Sequence, residues 1–320
     1  MRFNMENALS LLRALEKAQG ADCPLSALSS ALGLDKAALK SAASALVREG
    51  YPVRWLGSAC RMEPDADRVT GETLACWLPD RAVFAYETLD STNAEARRRP
   101  NAPPGSLFVA ETQTAGRGRM GKSFFSPGQS GLYMSLVLAA PAPEEMLLTT
   151  PAAAVAVCEA LEALTPLCPR IKWLNDLYLG GKKVCGILTE AVADAETQQI
   201  RRLVVGIGIN CRGADFPPEL AEIAGSLNLV GVSRSRLAGE IVRRLEDRMA
   251  HLGSASLMAA YRARSLMPGR RVRYQQNGQF FAGTAEGVDD QGRLLVRLEG
   301  GGLAALDSGE VQLTDWEREK

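Results

Sequence analysis

Gly116-Arg117-Gly118-Arg119-Met120-Gly121-Lys122 sets three glycines and three cations within seven residues. Glycines let backbone N–H groups turn toward a ligand, and guanidinium or ammonium groups neutralise phosphate or carboxylate oxygens. The stretch reads as an anion-holding loop; its plain alternative is a flexible, solvated basic loop. Its fold context decides the rest, because it spells G-x-G-x-x-G and, with Ser123, also completes the letters of G-x-x-x-x-G-K-[ST]. Either phosphate motif requires a helix leaving the glycines, and the dinucleotide form also an apolar strand running straight in. Glu111-Thr112-Gln113-Thr114-Ala115 precedes the loop, and Ser123-Phe124-Phe125-Ser126-Pro127-Gly128 follows it, a run that cannot start a helix. Both nucleotide-fold readings are therefore rejected.

Composition narrows the function classes. The 320 residues are 46% apolar and 23% charged, which suits a globular chain of two or three domains. Lys+Arg and Asp+Glu both number 37, so anion binding has to come from local clusters and not from a global field. Cysteines at 23, 60, 76, 158, 168, 185 and 211 form no C-x-x-C pair, and His251 is the single histidine. Zinc sites and histidine-based nucleophilic catalysis are disfavoured. The N-terminus has no basic-then-apolar signal, and the apolar run from Met146 to Leu161 is interrupted by Thr149, Thr150, Pro151 and Glu159. A reduced, cytoplasmic protein without a membrane span is the expectation.

Three segments follow along the chain. In residues 1–63, Leu9, Leu12 and Leu15 keep helical spacing, Pro24 opens a second helix that Gly33 closes, and Asp35 is placed to cap a third that ends at Gly50. Helix, glycine turn, helix, with Tyr51 to Met62 as a wing, predicts a winged helix-turn-helix; a small helical interaction module is the other reading. Lys36, Lys40 and Arg48 are its candidate DNA contacts, and residues 1–62 carry a net charge of only +3. Residues 80–266 alternate strand and helix signals, with strands at 83–86, 107–110, 132–138, 171–173, 184–189 and 203–209 and helices at about 144–164 and after Ser233. An α+β domain with a mixed sheet is predicted. Residues 267–320 have the hairpin rhythm of a small β-barrel, marked by Asn277-Gly278, Asp290-Gln291-Gly292 and Gly300-Gly301-Gly302.

Four further motifs accompany the basic loop: Ser91-Thr92-Asn93, where Thr92 and Glu95 suit a capping box; Lys172-Trp173-Leu174-Asn175-Asp176; Gly181-Lys182-Lys183-Val184-Cys185-Gly186-Ile187-Leu188; and Val205-Gly206-Ile207-Gly208-Ile209-Asn210. In this order they resemble the biotin protein ligases, specifically the bifunctional bacterial type with an N-terminal DNA-binding domain, and the resemblance runs over essentially the whole chain. It implies the biotin/lipoyl ligase fold in the centre and an SH3-like C-terminal domain. It also implies an enzyme that uses ATP and Mg²⁺ to form biotinyl-5'-AMP and then moves biotin to a lysine of a biotin carboxyl carrier protein. Operator DNA as a second partner and a homodimer belong to the same implication.

By that resemblance Arg119 and Lys183 are the catalytic cations. Ser91, Thr92, Asn93, Gln113, Gly116, Arg117, Gly118, Arg119 and Lys183 surround biotin. Arg119, Met120, Gly121, Lys122, Phe124, Asn175, Asp176 and Asn210 face the adenylate, Phe124 as an apolar lid, with Asp176 toward Mg²⁺. The chain departs from the family pattern at Met120, where arginine is usual, at Lys122, at Phe124 for tryptophan, at Leu174 for proline and at Thr314 for arginine. A lipoate-type ligase, or a regulator that senses biotin without catalysis, are the competing functions.

Overall fold

The computed structural model describes residues 2–63, 67–194, 197–213, 215–276 and 278–314, so Asn277 of the expected turn lies outside the described residues. The N-terminal part contains α1 (Arg2–Ala18), β1 (Cys23–Pro24), α2 (Leu25–Leu32), α3 (Lys36–Arg48), β2 (Val53–Trp55) and β3 (Ala59–Met62). The expected punctuation holds. Pro24 stands just before α2 in an extended conformation, Gly33 ends it at φ 66°, and the Asp35 carboxylate accepts from the Ala38 amide at 2.7 Å to cap α3. Leu11, Leu12, Leu15, Leu28, Leu39 and Leu46 form a separate core with Cys60 and Met62 of the β1-β3-β2 sheet. Each such leucine contributes about 1.5–3 kcal/mol of burial.

The central part contains α4 (Gly71–Ala75), β4 (Val83–Leu89), α5 (Thr92–Arg98), β5 (Leu107–Gln113), β6 (Gly131–Ala139), α6 (Thr149–Leu164), β7 (Arg170–Lys172), β8 (Asp176–Leu179), β9 (Lys182–Ala193), β10 (Ile200–Asn210), α7 (Pro218–Ala221), α8 (Arg234–Ala250) and α9 (Ala255–Arg264). Its seven strands run in the order β4-β5-β6-β10-β9-β8-β7, with β4 and β5 parallel and the remaining pairs antiparallel. This is the mixed sheet expected. Period-two alternation sorts the faces: Leu203, Val205, Ile207 and Ile209 of β10 join the core beneath α6 and α8, whereas Val204 joins a small cluster with Ala96 of α5. Gly206, Gly208 and Asn210 share the parity of Val204, and they open toward the candidate site.

The expected helix at 144–164 is a 3₁₀ stretch, Pro143–Leu148, followed by α6. Residues 143–164 are long and apolar enough to cross a membrane, but two thirds of the segment is buried, and Ala152 to Cys158 are in the core. The C-terminal part is an antiparallel sheet of β11 (Arg271–Gln276), β12 (Gln279–Val288), β13 (Leu294–Leu298), β14 (Leu303–Leu306) and β15 (Val311–Leu313), in the order β14-β13-β12-β11-β15. Its apolar face continues the central core, and Trp173 Nε1 donates to the Gly292 carbonyl at 2.9 Å.

Candidate active site

A cavity of about 410 Å³ opens above β9 and β10, between the 116–124 loop, the start of α5, the Lys172–Asp176 turn and the Gly309–Val311 segment. It collects Ser91, Thr92, Asn93, Gln113, Arg117, Gly118, Arg119, Met120, Lys122, Phe124, Asn175, Asp176, Lys183 and Asn210. Gly116 and Gly121 are not in its lining and act through the backbone. A Cβ on Gly116 would stand 2.4 Å from the Phe124 carbonyl oxygen, so only glycine allows the loop's two limbs to meet there. Gly121 takes φ 75°, and Met120 beside it takes φ 54° and is 74% exposed.

One end of the cavity is built from uncharged groups. Thr92 N and Oγ1 both donate to Gln113 Oε1, at 2.9 and 3.2 Å, and Gln113 Nε2 donates to Ser126 Oγ at 2.9 Å. Ser135 Oγ lies 2.7 Å from Thr92 Oγ1 and 2.5 Å from Asn93 Oδ1, and its single hydroxyl proton serves one of them. Asn93 Nδ2 donates to the Leu188 carbonyl and to Glu190. A Cβ on Gly206 would meet Asn93 Oδ1 at 2.1 Å, which explains the glycine in that strand. The expected capping box does not form: Ser91, one residue earlier, is the N-cap and accepts from the Ala94 amide. Glu95 turns instead to Tyr86, Arg98 and Arg99, because two guanidiniums outbid one backbone amide for a carboxylate.

The other end is ionic. Lys183 Nζ pairs with Asp176 Oδ1 at 2.7 Å across the β8–β9 hairpin. Arg119 donates to Asn175 Oδ1 at 3.1 Å, and Asn175 is itself anchored by Nδ2 to the Ile187 carbonyl at 2.8 Å. Lys122 reaches Glu310 at 2.5 Å and straps the loop to the segment before β15; Lys122 holds the Glu310 carboxyl below its usual range. Lys172 also lines this end, and burial pushes its pKa down, against the pull of Asp176. Burial likewise raises the Tyr178 phenol to about 12. Between the two ends the Phe124 ring lies on the strand floor. A Cβ would come within 2.7 Å of the ring at Gly208 and 3.2 Å at Gly186, which pair across β10 and β9.

Asn210 is spent partly on structure, its amide donating to the Gly225 carbonyl at 2.9 Å. Thr314, where arginine was expected, ends β15 by donating its amide to the Arg271 carbonyl at 3.0 Å. Lys172, Tyr178, Phe125, Phe216 and Glu310 line the cavity without having been among the candidate site residues. Lys172 carried a signal, as a cation inside a motif already singled out, and so did Glu310, in the family-like Gly309-Glu310-Val311. Lys36, Lys40 and Arg48 are exposed along α3 and take no part in the cavity. Among the described residues no three His, Cys, Asp or Glu side chains cluster as a metal site.

Residues 85–210 match the Biotin/lipoate A/B protein ligase family, and residues 269–314 match the Biotin protein ligase C terminal domain. The bifunctional ligase/repressor BirA of Bacillus spizizenii is 33% identical over 89% of this chain and 92% of its own length. The biotin–[acetyl-CoA-carboxylase] ligase of Mycobacterium tuberculosis is 36% identical over 69% of this chain and 85% of its own. The Aquifex aeolicus biotin protein ligase, solved in complex with biotin and ATP, aligns over 72% of this chain and 98% of its own, with 28% identity and a TM-score of 0.62. A hydrogen-bonded cleft beside a cationic one, on a mixed sheet carrying both family domains at these identities, places the chain in the biotin protein ligase family.

Proposed function

We infer that this chain is an ATP-dependent biotin protein ligase that makes biotinyl-5'-AMP and transfers biotin to a lysine of a biotin carboxyl carrier protein. The observation that carries the reading is the cavity's division: neutral donors and acceptors suited to a ureido head group at one end, four cations at the other. A biotin carboxylate oxygen attacks the α-phosphorus of ATP and pyrophosphate leaves. Both reactants are anions, so the barrier falls mainly through charge neutralisation and alignment. Arg119 and Lys183 supply that neutralisation, Asn175 aims Arg119, and Lys172 adds positive charge beside them. The acceptor lysine, as a free amine, then attacks the acyl carbon and AMP leaves.

Mg²⁺ fits as an ion carried by the nucleotide, because one or two carboxylates plus phosphate oxygens is its usual setting and the cavity offers Asp176 and Glu310, whereas a resident cage would need a larger cluster of carboxylates. When bound it neutralises charge on the phosphate oxygens. Asp176 would hold it, releasing Lys183 toward the substrate.

Residues 1–63 serve as a winged helix-turn-helix with α3 as recognition helix and Lys36, Lys40 and Arg48 on phosphates, residues 80–266 as the ligase domain, and residues 267–320 as an SH3-like domain. The BirA relatives are named ligase/repressors, which supports a second role at operator DNA in the cytoplasm. A net charge of +3 on residues 1–62 gives weak phosphate affinity, so DNA binding calls for a homodimer that presents two copies.

Pyrophosphate release from ATP is measured with biotin and with lipoate, followed by the mass of an added carrier domain. Biotin-dependent release and a biotinyl mass increment are expected; release with lipoate alone, or none, overturns the reading. Band shifts on DNA upstream of biotin genes, with and without biotin plus ATP, test the repressor role.

A further inference from the structure

Behind the cavity lies a set of charges that the ligase reading does not use. Arg234, the first residue of α8, is fully buried, and all five of its guanidinium N–H donors are engaged. Nε donates to Asp67 Oδ1 at 3.2 Å, Nη1 to Glu111 Oε2 at 2.9 Å and to the Gly131 carbonyl at 2.8 Å, and Nη2 to the Asp67 carbonyl at 2.6 Å and Glu111 Oε1 at 3.0 Å. Asp67 also receives the Arg234 amide and the Arg212 guanidinium, and Glu111 receives the Val69 amide at 2.7 Å. Asp67 and Glu111 are themselves buried, at 3% and 5% exposure.

A neutral cluster of two guanidiniums and two carboxylates is a poor way to gain stability, since well-packed apolar residues of similar volume often do as well. It does fix geometry. Glu111 is two residues before Gln113 on β5. Gly131 is the register partner of Asn210, and Arg212 follows Asn210 by two residues. The cluster therefore holds the ends of β5, β6 and β10 where two cavity residues sit. The neighbouring residue faces the other way: Ser233 Oγ donates to the buried Glu16 carboxylate of α1, and the Ser233 amide donates to Gln19 Oε1 at 3.2 Å. Trp77 Nε1 reaches the same carboxylate at 2.9 Å. The start of α8 thus fastens the N-terminal helices, the 67–69 linker and the floor strands to one point.

We propose that Arg234 is a positioning residue for the biotin end of the cavity, and that Asp67 makes the linker to the N-terminal helices part of that positioning; this rests on the biotin ligase reading above. Gln113 and Asn210 keep their places because β5 and the β6–β10 pair are gripped from behind, and the grip is complete only with Asp67 in it.

The test measures biotin binding and biotin-dependent pyrophosphate release on the full chain for the parent, Asp67→Asn, Glu111→Gln, Arg234→Lys, Gln113→Ala and the Asp67→Asn/Gln113→Ala double variant. Asp67→Asn and Glu111→Gln should each raise the biotin KM about tenfold with kcat within about twofold, and the double variant should lose clearly less than the product of its single losses, as coupled groups do. Arg234→Lys, which keeps the charge but not the five-donor fork, should be no better than Asp67→Asn; if it does not fold, Asp67→Asn and the double variant decide alone. Parental KM in Asp67→Asn and Glu111→Gln, with lowered thermal midpoints or fully multiplicative losses, overturns the inference and leaves a structural cluster. A parent that binds no biotin overturns the ligase reading and this inference with it.

Discussion

The two ends of the cavity are held by different kinds of interaction. At the neutral end Thr92, Asn93, Gln113, Ser126 and Ser135 satisfy one another through buried hydrogen bonds before any ligand is present. At the ionic end three cations lean on partners that a phosphate can replace: Lys183 on Asp176, Arg119 on Asn175, Lys122 on the half-exposed Glu310. Buried neutral networks are rigid because breaking one strands a polar group in the protein interior, at a cost of about 1–3 kcal/mol. Partly exposed ion pairs are worth about 0–1 kcal/mol and exchange readily. The neutral end is therefore preformed, and under the proposed function the ionic end would be completed by its substrate.

The sharpest break is at the ionic end, where catalysis and folding separate. Lys183→Ala or Arg119→Ala should cut adenylate formation by a factor on the order of 10²–10³, as loss of a preorganised transition-state donor does. The thermal midpoint should stay within a few degrees of the parent, about what a surface ion pair is worth. Single-turnover pyrophosphate release under saturating biotin and ATP checks this, and parental rates in both variants would remove the site assignment.

At the neutral end the damage should fall on affinity instead. Gly206→Ala drives a methyl into Asn93, which three hydrogen-bond partners hold in place, so overpacking of about 1–3 kcal/mol is expected. Calorimetry should show biotin binding weakened by about tenfold or more with chemistry at saturation little changed. A variant that binds like the parent would mean that this end is not preformed.

A smaller effect concerns order in the loop. Residues 116–122 gain little from packing on themselves, so adenylate should protect their amides, while those of β5 and α5 are already protected without it. Hydrogen exchange with and without biotin plus ATP reads both segments at once; equal protection of the loop in the two states would erase the contrast.

The smallest effect is the Lys122 strap. The Glu310 carboxyl is held below its ordinary value by Lys122, so the strap is present above the unfolded carboxyl range and is lost as pH falls through the depressed folded value. Lowering pH from 7 to below 4.5 should loosen the ligand-free loop in the parent and change little in Glu310→Gln. Intrinsic exchange at matched rates makes the comparison, and identical pH responses would dismiss the strap.

Much of this was legible in the chain. Local signals such as Pro24, Gly33, Asp35 and the apolar runs of β6 and β10 act over a few residues, and the structure follows them. The motifs of the cavity stood out because glycines and charges sat where strands would place apolar side chains. Helices α4, α7 and α9 escaped notice because runs of 5, 4 and 10 residues are too short for a 3.6-residue period to declare itself. Thr92 looked like a cap because its spacing to Glu95 was right, and only the packed structure shows its hydroxyl and amide turned to Gln113.

By itself, then, the sequence determined most of the elements, the glycine-and-cation loop and the family, all of which are written in neighbours within reach of one another along the chain. The tertiary structure decided which distant groups meet. Sheet order brings Gly186 beside Gly208 to make room for Phe124, Lys122 finds Glu310 across 188 residues, and Asp67, Glu111 and Arg234 close into one buried cluster. A lone Arg234 reads as a solvated helix charge because solvation is the cheaper state for a guanidinium in an unfolded chain. Only once the strands have shut out water does its full set of partners make burial tolerable.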